Sequence, residues 1–340
     1  MRAKNRTAKW FWVLWLMSIP LLGWSLSKTP LYEIWSVISR LKLSQILSLF
    51  GVNLIILLLV TCRWRMILSA MGERVPFRRL FSYRLTSFGV SYFTPGPQFG
   101  GEPLQVVLLS RNHAVRVVNA VSSVYTDKLL ELLVNVFVIV AGTGFALGSG
   151  LANGVFNQTA WIVVLVLAVI PLGHLIALRN HRFPLNRLIT GFGWDRSPTA
   201  WLKKAAQVVG ESEKKIAQFL ISHPDILFMA LFVSVLSWLG MILEYLLVIG
   251  FLGWELNVSQ SIFAFVLSRI AFLAPLPAGL GALEASQVLA VQTVGLSAAA
   301  GLALTLWMRL RDVLIGLIGI GLGGFSLRDV ARSAHEEVNF

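Results

Sequence analysis

The sequence predicts an all-α integral membrane protein: about six full spans plus two re-entrant broken hairpins, with a candidate inverted-topology repeat. Three observations predict it. The 340 residues are 56% hydrophobic and 13% charged, with a mean hydropathy of +0.74, whereas soluble domains carry about 25% charged residues. Several apolar runs reach the roughly 20 residues that cross a hydrocarbon core. A proline-glycine break that resumes at a lone glutamate occurs twice, as Tyr92-Phe-Thr-Pro-Gly-Pro-Gln-Phe-Gly-Gly-Glu102 and as Phe272-Leu-Ala-Pro-Leu-Pro-Ala-Gly-Leu-Gly-Ala-Leu-Glu284. A repeated, broken, charge-bearing membrane element points to a transporter-like site near the bilayer midplane.

The elements follow in order. The basic start, Met1 to Lys9, precedes an apolar run that ends at Ser25-Leu-Ser-Lys-Thr-Pro, a poor cleavage site, so 10–26 reads as a retained first helix. The other full spans are 43–62, 117–147, 159–178, 225–253 and 298–325. Segments 80–110 and 259–294 are split by the breaks, and each reads as a hairpin of two half-helices. Such backbone survives at membrane depth only where protein or a watery cavity satisfies its polar groups.

Pro95, Gly96, Pro97, Gly100 and Gly101 shape the first break, and Pro275, Pro277, Gly279 and Gly281 the second. Span, span, hairpin, span then occurs twice, over roughly 1–150 and 155–325 of a single membrane domain covering 1–340. Segments 1–9, 63–79, 111–116, 179–224 and 326–340 hold 21 of the 29 Lys and Arg residues, which places them and both termini in the cytoplasm. Segment 27–42, with Lys28, Arg40 and Lys42, is the exception and reads as interfacial. Within the loop 179–224, Thr199 to Leu220 reads as an amphipathic helix, either lying on an anionic inner leaflet or serving as a solvated connector.

A net charge of +13 suggests nucleic acid, but the basic residues sit at the ends of apolar runs, so no nucleic-acid partner is expected. Cys62 is the single cysteine and the five histidines lack ligand spacing, which leaves neither a disulfide nor a metal site, and no cofactor is expected. Tryptophans near span ends, such as Trp10, Trp24 and Trp161, read as interface anchors.

Charges within the membrane zone carry the functional argument. Glu102, Asp127, Lys128, Glu131, Glu244, Arg269, Glu284, Arg309, Arg311 and Asp312 fall inside it, and Arg84 lies near its edge. A central charge costs about 2.5–3.5 kcal/mol. Unpaired, the set would exceed a fold's whole stability of about 5–15 kcal/mol, so these groups pair, line a wet cavity or sit near an interface. Asp127 and Glu131 share a helix face, as do Arg309 and Asp312. The acidic face of 117–147 and the basic face of 298–325 are expected partners, either as a structural network or as a cavity for a headgroup. Glu102, Asp127, Lys128, Glu131, Glu284, Arg309, Arg311 and Asp312 are the candidate substrate-binding residues, with Arg309 and Arg311 facing phosphate. Glu102 and Glu284 have a second role open to them, as helix caps. The glycines of 298–325, Gly316, Gly319, Gly321, Gly323 and Gly324, suit close helix packing within or between chains.

Arg63-Trp-Arg-Met-Ile-Leu, Pro95-Gly-Pro-Gln-Phe-Gly-Gly-Glu102-Pro-Leu-Gln, Asp127-Lys-Leu-Leu-Glu131 and Pro275-Leu-Pro-Ala-Gly-Leu-Gly-Ala-Leu-Glu284 resemble, in order over roughly 10–325, the flippase-like membrane region of the lysylphosphatidylglycerol synthase family. Gln98 and Gln105 stand where that family often carries basic residues. The resemblance implies a prokaryotic inner-membrane protein that moves a lipid. With the chain read as ending at Phe340, the family's separate synthase domain is not expected. Stand-alone relatives imply an anionic phospholipid, an isoprenoid or a polyprenyl-linked lipid as partner.

The leading expectation is therefore a non-enzymatic lipid translocase. The alternatives are a non-transporting partner of an envelope-lipid biosynthetic enzyme and an intramembrane transferase. No phosphate-cradling Gly-x-x-x-x-Gly-Lys-Ser/Thr loop or His-Glu-x-x-His motif occurs in the chain.

Overall fold

The computed structural model describes residues 41–93, 100–151, 158–273, 279 and 281–336. The expected first span 10–26, most of segment 27–42, and Pro95, Gly96, Pro97, Pro275 and Pro277 lie outside the described residues. Every regular element among those residues is helical: α1 (Leu43–Ala70), α2 (Phe77–Phe93), α3 (Glu102–Asn112), α4 (Val117–Gly148), α5 (Gln158–Arg179), α6 (Pro184–Gly191), a 3-10 turn (Trp194–Arg196), α7 (Ala200–Ser222), α8 (Pro224–Phe251), α9 (Val258–Ala271), α10 (Ala282–Thr293) and α11 (Ala298–Glu336).

Three of these, α1, α4 and α8, are long and apolar enough to cross a membrane. Their exposed faces carry the evidence of what surrounds them. Leu47, Leu54, Ile55 and Leu58 on α1, and Phe228, Phe232, Leu236 and Leu239 on α8, stand outward. Continuous apolar faces of this kind are unstable in water and suit a bilayer. The chain is an integral membrane protein.

Local signals set where the broken elements restart. α9 opens with a reciprocal cap: the Gln260 amide donates to Asn257 Oδ1 at 2.9 Å, and the Asn257 amide to Gln260 Oε1 at 2.9 Å. α10 opens at Gly281, whose φ of +79° lies in the left-handed region that glycine tolerates. Before α3, Gly101 is required for a different reason. A Cβ there would run into the Ser87 carbonyl of α2, while its amide donates to Ser91 Oγ at 2.8 Å.

The element series α1 to α4 matches α8 to α11 in order and kind: a long apolar helix, a shorter helix, a break, a short helix and a long helix. The two series interlock. α1 packs along α8, α2 along α11 and α4 against α9. Small residues permit the approach. A Cβ on Gly89 of α2 would lie 2.6 Å from the Gly316 carbonyl of α11, and Cβ atoms on Gly319 and Gly323 would meet Leu85 and Thr86. Gly316, Gly319 and Gly323 of the stripe expected on 298–325 thus pack within the chain.

One expectation is corrected here: the helix predicted to end at 62 continues to Ala70, which takes Arg63 out of the segment 63–79 expected to be cytosolic and into the protein interior. The C-terminal half of α7 packs on protein, with Ile216, Phe219 and Leu220 buried with Ile67, Met71, Leu130 and Leu178, while Trp201 near its start is exposed.

Candidate functional site

A cavity of about 200 Å³ lies between the two series, lined from α1–α4 on one side and from α8, α9 and α11 on the other. Its walls are mixed. Ile56, Val60, Phe88, Met241, Val248 and Leu304 supply apolar surface, and Arg63, Arg84, Glu102, Lys128, Glu131, Glu244, Arg269, Arg311 and Asp312 supply charge. Burying so many charges is tolerable only where most find partners.

On the first side the pairing is complete. Arg63 is buried, at 1% exposure. Its Nε donates to Asp127 Oδ1 at 2.7 Å, Nη1 to Ser234 Oγ at 3.0 Å, and Nη2 to Glu131 Oε2 at 3.4 Å. Arg84 donates to the other Asp127 oxygen and, at 3.0 Å, to the Val60 carbonyl. Lys128 Nζ bridges Glu131 Oε1 at 3.2 Å and Glu102 Oε1 at 3.4 Å.

The second side is built on the same plan. Arg309 Nε donates to Glu284 Oε1 at 2.6 Å. Arg311 donates to Glu244 Oε2 at 2.6 Å and to Asp312 Oδ1 at 2.8 Å. Glu284 also takes the capping role that the sequence leaves open, because its second oxygen accepts the Gly281 amide at 2.8 Å at the start of α10. Glu102 likewise sits in the first turn of α3, but its role there is the bridge to Lys128.

A charge cluster begins 25 residues after each break glutamate, at Asp127 and at Arg309, and that spacing has a physical meaning. In each series the glutamate that opens the short helix reaches the cation on the following long helix, Glu102 to Lys128 and Glu284 to Arg309. The expected cross-pairing of the acidic face of 117–147 with the basic face of 298–325 is corrected. Asp127 and Glu131 pair with Arg63, Arg84 and Lys128, whereas Arg309 and Arg311 pair with Glu284, Glu244 and Asp312. Each long helix finds its counter-charges within its own series, where the chain already brings them close.

Of the candidate residues, Glu102, Lys128, Glu131, Arg311 and Asp312 line the cavity, while Asp127, Glu284 and Arg309 stand behind it and hold lining or neighbouring groups. Four lining charges were absent from the candidate set: Arg63, Arg84, Glu244 and Arg269. Glu244, as the lone charge between the ends of an apolar helix, was the most legible of them. Among the described residues several polar atoms in this region make no hydrogen bond: Arg84 Nε, Glu102 Oε2, Glu244 Oε1 and Trp307 Nε1. Both donors and acceptors are thus left open beside the cavity, as a binding site for a polar group requires.

Comparison with known proteins fits this architecture. A UPF0104 membrane protein of Methanothermobacter thermautotrophicus is 22% identical over 283 residues, covering 82% of this chain and 84% of its own length. A UPF0104 membrane protein of Methanocaldococcus jannaschii is 20% identical over 292 residues, covering 84% of this chain and 85% of its own. No solved structure matches the chain. The family model described as the lysylphosphatidylglycerol synthase TM region matches residues 11–319, across both series and the cavity between them, and the chain belongs to that family.

Proposed function

We infer that this protein is a flippase-like carrier that moves a lipid, or a lipid-linked envelope precursor, across a prokaryotic inner membrane. The observation that carries the inference is the cavity itself: charged groups with open hydrogen-bonding positions, enclosed by apolar walls, inside a protein whose outer faces suit a bilayer. Its volume of about 200 Å³ is below the roughly 300–1,000 Å³ of pockets that bury whole drug-sized ligands. It accommodates a headgroup while the acyl chains stay in the surrounding lipid.

In this reading the series α1–α4 and α8–α11 are inverted repeats, and the termini and the 179–224 loop are cytoplasmic, supported by the clustering of 20 of 29 Lys and Arg residues once buried Arg63 is set aside. The protein acts by binding and release, without covalent chemistry. Glu102 and Lys128 form one polar wall and Arg311 and Asp312 the facing one, with Glu284 and Arg309 setting the second break against α11.

The test is transbilayer movement of headgroup-labelled lipids in proteoliposomes. Glu102→Gln and Arg309→Gln are expected to abolish movement while the variants remain folded by gel filtration in detergent. Normal movement in both would sink the assignment of the site.

A further inference from the structure

Arg269 differs from the other cations of the two arrays. Arg63, Arg84, Lys128, Arg309 and Arg311 each meet a carboxylate. Arg269 makes no ion pair among the described residues, and Glu244 and Asp312 each pair with Arg311. Its guanidinium is instead set among three aromatic rings, with centroids at 5.0 Å for Phe265, 5.1 Å for Phe272 and 5.9 Å for Trp238. The one hydrogen bond it makes among the described residues runs from Nε to Ser268 Oγ at 3.3 Å.

Aromatic faces attract a cation without consuming its N–H donors. The two terminal amino groups of Arg269 therefore remain available in a cavity that it lines. Trp307 of α11 lines the same cavity, is 4% exposed, and its Nε1–H has no partner among the described residues. A planar fork of unpaired donors, fixed by aromatic packing and joined by a further buried N–H, matches a tetrahedral oxyanion.

We propose that Arg269 and Trp307 bind the phosphate of a phosphate-bearing lipid, which selects such lipids over neutral isoprenoid or diacylglycerol-type lipids. Buried Glu244, 3% exposed and with Oε1 unpartnered, accepts from a hydroxyl or ammonium donor on the same headgroup. This rests on the lipid-carrier reading above and names its substrate class. It also moves the phosphate contact from Arg309 and Arg311, whose charges are met by carboxylates, to the cation that lacks one.

The experiment is equilibrium binding to the purified full chain in detergent, with short-chain phosphatidylglycerol, short-chain diacylglycerol and inorganic phosphate as separate probes. The wild type is expected to prefer phosphatidylglycerol over diacylglycerol by about tenfold or more, the scale of a charge-assisted contact in a dry site. Arg269→Gln should erase that preference and leave diacylglycerol binding unchanged. Arg269→Lys keeps the charge but not the stacked fork, and should retain a partial preference. Trp307→Phe should weaken phosphatidylglycerol binding several-fold with no effect on diacylglycerol.

Equal binding of the two lipids by wild type, or a full preference kept by Arg269→Gln, overturns the proposal. Inorganic phosphate binding as tightly as the phospholipid overturns the lipid as the source of the anion. The same variants in proteoliposomes separate this site from the function it serves. Arg269-dependent binding without lipid movement keeps the phosphate site and removes the carrier reading, whereas movement indifferent to Arg269 does the reverse.

Discussion

In the first series Arg63, Arg84 and Lys128 face Glu102, Asp127 and Glu131; in the second Arg269, Arg309 and Arg311 face Glu244, Glu284 and Asp312. Each series sums to neutral, yet the signs are exchanged along the long helices. α1 brings a cation to the acids of α4, and α8 brings an acid to the cations of α11. The bookkeeping is equal and the distribution is not. In the first series all three cations meet carboxylates, whereas in the second Arg311 holds two and Arg269 none. Neutrality of a buried array makes it affordable in a membrane, while uneven sharing within it leaves one charge open for a ligand.

The largest effect that would break this comparison is at Asp127. It is 2% exposed and answers both Arg63 and Arg84. Asp127→Asn leaves two buried guanidinium groups short of a counter-charge and is expected to cost about 3–5 kcal/mol of stability. Glu284→Gln removes a carboxylate whose side chain is 30% exposed, where water shares the load, and is expected to cost about 1 kcal/mol or less. Thermal unfolding of both variants in one detergent at one salt concentration checks the contrast. Equal losses would mean that the first series is not the more tightly closed of the two.

Much of this was legible along the chain, because helix starts and break glutamates are local signals. The starts at 117 and 258 fall within a residue of expectation, and the glutamates at 102 and 284 open short helices as their Pro-Gly surroundings suggest. Arg63 was not legible. A basic residue after an apolar run is the usual mark of a cytosolic flank, and only its partners reveal otherwise. Those partners, Asp127 and Ser234, lie 64 and 171 residues away. The surroundings of Arg269 are half readable: Phe265 and Phe272 lie within one helical turn of it, but Trp238 comes from α8. The pairs run inside each series, as Glu102 to Lys128 and Glu244 to Arg311, and not between them. No single-residue pattern reports that choice of partner.

The seam between the series offers a smaller effect. Gly319 on α11 faces the Leu85 backbone carbonyl of α2 so closely that any Cβ must displace main chain. Gly319→Val is expected to lose about 1–3 kcal/mol by overpacking. Gly321, on the same helix, has open space where its Cβ would stand. Gly321→Ala should be neutral or stabilise by about 0.5–1 kcal/mol, since alanine is the better helix former. Unfolding midpoints of the two variants, compared with wild type, measure whether the series are held together by this backbone contact. If both behave alike, the seam carries no such constraint, and the packing of α1 on α8 and of α4 on α9 would have to join the halves.

The smallest effect lies in the connector between the series, which neither array reaches. Glu213 of α7 is 1% exposed and accepts the Leu185 and Asn186 amides at 3.0 and 2.8 Å, capping the short helix α6 from another element. Glu213→Ala should cost about 1 kcal/mol, the usual worth of a cap, and hydrogen exchange should show the loss at α6 rather than along α1 or α8. Burial pushes the Glu213 carboxyl above its ordinary value, against the opposing pull of the two amide donors. The folded state therefore holds this proton more tightly than the unfolded state. Between the unfolded and folded values its contribution to stability grows as pH falls and fades as pH rises. Glu213→Gln should flatten that segment of the stability profile while leaving lipid movement intact. A transport defect in this variant would tie the connector to the cavity, and the two series would then no longer be the whole of the working unit.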